Sequence, residues 1–373
     1  MRVTFVKTTL DRHDGSTRRV GDFIVEGNDR EKMKKAFDEI GFCVVPGVLG
    51  KEEVGKALQL FWDFMECSSK VKKGSVVVDW EDDDAWPETL EGGILPFYGA
   101  GQCSAMWYIR GLASVRECFE TFWMSRGDHL TEGLLTSFDA FLIWRTGKVT
   151  ERGWFHVDQN PREKPGFENV QGLVNLARVT EDTGGNVLIP KSHHLFPQHY
   201  LTNERYSKKL DEVAGDDWME IDGNDSVIFD TRKRENSELC GPVMLELLEG
   251  DVLLWDSRIV HCSNSGLQAA GRSGGGGGGG GGGASITRAA ALVTMYPKDR
   301  VSEEVRRERG RFLSAGCTGS HWANKCKILG EEALGDDDDY KREMNRISSM
   351  KETGKGIILD MDDLSRECRD LAV

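Results

Sequence analysis

The sequence predicts a mainly β protein with flanking helices, built on a double-stranded β-helix, the jelly roll of cupin-like proteins. Three observations predict it. Between residues 137 and 297 the chain is a succession of short apolar stretches separated by turn residues. Helical periodicity is confined to the segments before and after that region. No helical crossover links one apolar stretch to the next, which disfavours a parallel βαβ fold.

Taken in order, "EKMKKAFDEIGFCVVPGVLGKEEVGKALQLFWDFME" reads as helix, strand, helix. Ala36, Phe37 and Ile40 fall at helical spacing, Gly41 ends that helix, "FCVVP" is a short buried strand, and residues 51–66 resume the helical period. Acidic residues, a proline and glycines make 79–93 a surface loop. "GAGQCS" at 99–104 begins like a phosphate-binding turn, but Ser104 replaces the last glycine and no valine-rich strand precedes it, so a dinucleotide site is disfavoured. After a helix near 113–124, strands are expected at 137–145, 154–158, 171–179, 185–193, 225–230, 242–256 and 287–297. Ten consecutive glycines at 274–283 cannot offset their ordering entropy by packing and read as a flexible insertion. Residues 1–30 are then an N-terminal extension, 31–300 the double-stranded β-helix domain with its insertion at 273–284, and 301–373 a charged helical C-terminal extension to which no chemistry is assigned.

Composition bounds the function. A chain of 373 residues with 39% hydrophobic and 29% charged residues buries a substantial core. A net charge of −14 supplies no basic field for a nucleic-acid backbone, so a small-molecule substrate fits better. No signal-peptide core and no run of about eighteen apolar residues occurs, giving the expectation of a soluble, cytoplasmic protein without membrane insertion or an implied protein partner. Nine cysteines without a C-x-x-C pair read as reduced thiols, most of them small buried hydrophobes.

"GWFHVDQNP" at 153–161 carries the first chemistry. On an extended backbone His156 and Asp158 leave the same face, two thirds of a facial metal triad. Alone, such a pair is weak evidence; a third ligand is required. "LEGDVLLWDSRIVH" ends a strand at His261, where a jelly roll would bring an antiparallel neighbour beside the first pair. Arg288 opens the strand "TRAAALVTMYP" after the glycine run, within a short hairpin's reach of His261 once the insertion is set aside. Its guanidinium suits a carboxylate.

Together and in this order, "GFCVVPGVL", "FHVDQNP", "TGGNVLIPKSHH", "GDVLLWDSRIVH" and "TRAAALVTMYP" resemble the phytanoyl-CoA dioxygenase family of iron- and 2-oxoglutarate-dependent oxygenases, over roughly residues 33–297. The resemblance implies that His156, Asp158 and His261 bind Fe(II) and that Arg288 anchors 2-oxoglutarate; Asn175, from its own strand, is expected to help hold it. It further implies O2 as co-substrate, ascorbate as reductant, and hydroxylation of a C–H bond with release of succinate and CO2. Related halogenases need a vacant site where Asp158 stands, so halogenation is disfavoured. Arg272 is a rival anchor at the family's usual spacing after the distal histidine; Arg288 is preferred because it lies on a strand rather than among glycines.

Other residues have plainer readings. His193 and His194 fit a structural turn, and His199 the surface. Trp144, Trp154, Phe155 and Trp255 read as core or rim aromatics. Gln159, Asn160 and Asp139 are polar residues near the expected mouth, orienting substrate or capping turns, and Cys262 points away from the metal by strand alternation. A non-catalytic β-sandwich binding protein with a relic or structural metal site stands as the alternative function. A metal-dependent hydrolase or isomerase, which would have no use for Arg288, is a third.

Overall fold

The structure, a computed structural model, describes residues 3–11, 17–19, 21–27, 29–74, 77–145, 153–212, 216–229, 241–264, 286–329 and 337–373. Arg272 and the glycine run lie outside them.

Two six-stranded sheets face each other. In the first, the strand order is Thr4–Val6, Val243–Leu245, Gly185–Leu188, His261–Asn264, His156–Val157 and Met219–Glu220. In the second it is Phe42–Val45, Val252–Asp256, Val170–Asn175, Ile286–Leu292, Phe141–Arg145 and Ile94–Leu95. All pairings are antiparallel except that of Thr4–Val6 with Val243–Leu245. From Phe141–Arg145 to Gly185–Leu188, and again from Val243–Leu245 to Ile286–Leu292, chain neighbours alternate between the sheets, as a jelly roll requires.

The second sheet shows why its sequence is almost wholly apolar. Cys43, Val45, Val252, Leu254, Val170, Val174, Ala289 and Ala291 pack against the helices. Their alternates Phe42, Val44, Leu253, Trp255, Leu173 and Ala290 face the first sheet. By that alternation Gln171, Asn175 and Arg288 also point between the sheets. The helices Arg30–Glu39, Lys51–Lys73 and Ala113–Ser125 back this sheet, with Ala57, Phe61 and Phe64 meeting Phe119 and Phe122 in one core.

Several boundaries differ from the sequence expectations, each for a local reason. The helix expected at 51–66 runs on to Lys73, stopping at Gly74 in the left-handed region (φ +62°). The stretch 242–256 is two strands in different sheets, broken at Gly250 (φ +87°), where a Cβ would lie 2.2 Å from the Leu49 carbonyl oxygen. Residues 287–297 split likewise: Met295–Pro297 leaves the second sheet to pair with Leu134–Thr136. The strand expected at 225–230 is instead a short helix, Ser226–Phe229, because the Asp225 carboxylate accepts from the backbone N–H groups of Val227 (2.9 Å) and Ile228 (3.3 Å). His261 begins a strand rather than ending one; the 257–260 turn separates it from Val252–Asp256. The loop at 79–93 buries Trp86 against Trp62 and Trp80. Residues 100–102 are buried under Phe138, whose carbonyl oxygen would meet a Cβ on Gly101 at 2.1 Å, so the "GAGQCS" turn is scaffold.

The helices Glu303–Ala315, Asp337–Thr353 and Arg366–Ala372 pack onto the same body, with Leu371 and Met350 in the core. Among the described residues no helix is long and apolar enough to cross a membrane.

Candidate metal centre

His156 and His261 are direct partners across the antiparallel pair His156–Val157 and His261–Asn264, which puts both rings on the inner face, 4.3 Å apart between centroids. Asp158 is carried two residues beyond His156, with its backbone N–H on the Ser257 carbonyl at 3.2 Å. Its Oδ2 lies 3.2 Å from His261 Nε2 and its Oδ1 3.6 Å from His156 Nε2. One ligand atom from each of the three residues falls within 4.8 Å of the others, and all three residues are buried. The sequence-predicted triad is therefore assembled.

Both imidazoles are oriented in the same way. His156 Nδ1 sits 3.1 Å from the Trp154 carbonyl oxygen, and His261 Nδ1 3.0 Å from that of Ile259. A proton on each Nδ1 bonds the carbonyl and leaves each Nε2 with a lone pair directed at the centre. Burial, reinforced by the neighbouring His261, lowers the His156 pKa to about 4, so its ring is neutral at ordinary pH. Burial alone would raise Asp158, yet the facing imidazoles hold it well below the usual carboxylate range. Gln171 Nε2 donates to Asp158 Oδ2 at 2.8 Å. Trp154 stacks on His156 (4.8 Å, 7°), and Trp255 stands 5.5 Å from His261. Two imidazoles and a carboxylate on one side of a common point are the donor set for a divalent transition metal with open positions.

Arg288 occupies the same interior. It is 1% exposed, its Cζ lies 4.4 Å over the Trp144 ring, and its Nη1 is 3.4 Å from Ser263 Oγ. Its Nε and Nη2 have no partner among the described residues. Burial alone lowers this guanidinium to about 9. Ser263 also donates to Asn186 Oδ1 (3.1 Å), whose Nδ2 is a further unpartnered buried donor.

The remaining candidates sort clearly. Asn175 donates to the Leu248 carbonyl (2.9 Å), and its Oδ1 is buried without a partner among the described residues. Gln159 caps its loop through Lys164, Gly166 and Ser257. Asn160 accepts from the Arg162 and Glu163 backbone N–H groups. Asp139 is buried and raised to about 7, mainly by burial, while accepting from Ala140 N–H. His193 is buried against Gly41, and His194 bonds the Asp38 carbonyl, so both are scaffold. His199, expected at the surface, instead pairs with Asp225 at 2.6 Å in a part-buried cluster with Tyr206. Phe155 is core, and Cys262 is buried in the same cluster. Sequence reasoning missed Gln171, Asn186, Ser263 and His321; inward parity on predicted strands could have found the first two.

Comparison with known proteins agrees. Residues 151–273 match the family model of phytanoyl-CoA dioxygenase (PhyH). Ava biosynthesis cluster protein O of Aspergillus versicolor is 29% identical over 196 residues, 50% of this chain and 58% of that protein. The chain thus spans less than two thirds of that relative. A Dictyostelium discoideum protein named for phytanoyl-CoA dioxygenase is 23% identical over 61% of this chain and 69% of its own. The crystal structure of the GlcNAc Inducible Gene 2 product of Candida albicans shares the fold, with a TM-score of 0.50 and 11% identity over 92% of this chain and 81% of that one. Residues 151–273, the part of the chain that is similar to the phytanoyl-CoA dioxygenase family, contain the whole His156–Asp158–His261 triad.

Proposed function

We propose that this chain is an Fe(II)- and 2-oxoglutarate-dependent dioxygenase that hydroxylates a C–H bond of a small molecule and releases succinate and CO2. The observation that carries this reading is Arg288: a buried guanidinium with two unpartnered nitrogens, reaching from the second sheet to Ser263 on the triad-bearing strand of the first. An uncompensated buried cation is costly, and a carboxylate is its natural complement.

Ser263 is two residues from His261 on one strand, so the guanidinium beside it lies roughly 7 Å along the sheet from the metal ligand. That suits a dicarboxylate with one end on Arg288, Ser263 and Asn186 and the other toward the triad. His156, Asp158 and His261 would hold the iron, which with 2-oxoglutarate and O2 supplies the oxidising chemistry when bound. Around it, the carbonyls of Trp154 and Ile259 fix the imidazoles, Gln171 fixes the carboxylate, and Trp154 and Trp255 keep the ligand rings in an apolar surround. These residues orient the donors before any substrate arrives.

The test is oxygen-dependent conversion of 2-oxoglutarate to succinate by the iron-loaded protein, with His156→Ala as control. A protein that merely binds metal would take up iron and form no succinate. Metal-dependent activity that survives Arg288→Ala unchanged would favour a hydrolase or isomerase.

A further inference from the structure

The loop 317–329 lies beside the metal centre and is clamped there. Gly319 N–H donates to the Phe138 carbonyl (2.7 Å), Leu329 N–H to Thr318 (3.0 Å) and Ser320 N–H to Lys327 (3.0 Å). Arg309, buried beneath it, donates Nη1 to the Ala323 carbonyl at 2.5 Å and Nη2 to that of Thr136 at 2.6 Å. On the other side Lys325 and Lys164 both pair with Asp217 and lie over the Trp322 ring.

This clamping brings His321 to the triad. Asp158 N–H bonds the Ser257 carbonyl, Ser257 N–H bonds that of Asn169, and Asn169 Nδ2 donates to that of His321 (3.4 Å). This chain of bonds ties the His321 main chain to that of Asp158, and the residue stands outside the three-ligand cluster. Its Nε2 is buried with no partner among the described residues, and so are Trp322 Nε1, Asn169 Oδ1 and Asn324 Oδ1. Leaving such groups unpaired is costly, and those of Asn169, His321 and Trp322, joined by the Asn169–His321 bond and by rings 5.2 Å apart, ask for a ligand.

The chemistry of that ligand can be read from the donors and acceptors. A neutral imidazole carries one lone pair, and His321 Nε2, with no partner among the described residues, is free to offer it. The two asparagine oxygens are acceptors as well, and only the Trp322 indole donates. Near the triad the exposed indole of Trp218 stands 5.8 Å from the His156 ring and offers a flat apolar face. Lys164 and Lys325 are committed to Asp217, and Lys327 to Asp216, so the local charges are matched and do not select an anion.

We propose that the 317–329 loop forms a substrate subsite of the metal centre, taking a neutral molecule with a flat apolar body and a hydroxyl or N–H group whose proton His321 Nε2 accepts. The proposal rests on the dioxygenase reading only in placing the reaction at the triad.

The experiment loads the full chain with Zn(II) and 2-oxoglutarate, which prevents turnover, and measures binding of matched probes by ligand-observed NMR: phenol against anisole, 2-naphthol against 2-methoxynaphthalene, indole against N-methylindole. In each pair the donor-bearing member should bind roughly fivefold more tightly to the wild type, the worth of one hydrogen bond to a neutral acceptor. That preference should vanish in His321→Phe, which keeps the ring volume, and return in His321→Gln. Should the variants misfold, the ¹⁵N shift of His321 Nε2 in the wild type should move with 2-naphthol and not with its methyl ether. Equal binding within the pairs, a preference surviving His321→Phe, or no binding by any probe would overturn the subsite. Failure of the dioxygenase reading is distinguishable, since it appears as an absence of succinate from the iron-loaded wild type whatever the probes do.

Discussion

His156 and His261 face each other across one antiparallel strand pair, and each spends its Nδ1 on the carbonyl two residues before it. Neither ring can rotate without giving up that bond, so the ligand geometry exists before any metal binds. His261→Ala or Asp158→Asn should therefore abolish stoichiometric iron binding, measured by metal analysis after desalting, while leaving the circular dichroism spectrum intact.

Gln171 acts on the metal through Asp158 alone. Gln171→Leu should weaken iron affinity by about 10–100-fold, the usual cost of removing a group that orients a ligand. A competitive chelator titration measures it, and an unchanged affinity would remove Gln171 from the site.

Arg288 is deprived of water, and beyond a long bond to Ser263 and its place over Trp144 two of its nitrogens find no partner among the described residues. Arg288→Met should raise the stability of the ligand-free protein by about 1–3 kcal/mol, because a buried uncompensated charge is replaced by an apolar chain of similar volume. The same variant should lose the thermal stabilisation that 2-oxoglutarate gives the wild type. Opposite signs in the two thermal-shift series would mark a side chain kept for its ligand.

Glu343 is buried, and burial raises it to about 7 despite hydrogen bonds from the Tyr98 and Gly99 backbone and the nearby Arg346. The folded state thus holds this proton more tightly than the unfolded chain. Its contribution is full below the unfolded value near 4.5 and is lost as pH rises through about 7. Glu343→Gln should be more stable than the wild type at pH 8, by up to roughly 3 kcal/mol, with the gap closing toward pH 4.5. Chemical denaturation at several pH values checks the slope.

Gly250→Ala should cost roughly 3 kcal/mol or more, since the new Cβ would meet the Leu49 carbonyl oxygen and the residue holds a positive φ. Urea denaturation would show it.

How much of this was legible in the sequence depends on how local each signal was. The His156–Asp158 pair is an i, i+2 relation on a strand, so it could be read at once, and His261 needed only the jelly-roll order to be placed. The inward aim of Arg288 follows from strand parity. The helix at Ser226–Phe229 was misread because "DSVIFD" has strand composition, whereas the Asp225 carboxylate captures the following N–H groups and turns the chain. His321 left no trace at all. Its place beside Asp158 depends on Arg309, Asn169 and Phe138, contacts distant along the chain that no local period announces.

The pairing of Ile286–Leu292 with Phe141–Arg145 slips between Ile286 and Arg288: two residues advance on one strand while the partner advances by one, from Arg145 to Trp144. That offset resets side-chain parity immediately ahead of the arginine. Replication slippage in the ten-glycine tract upstream would therefore change the span of the connection without turning the guanidinium outward. A sequence prone to drift in length can be inherited beside this buried guanidinium without displacing it.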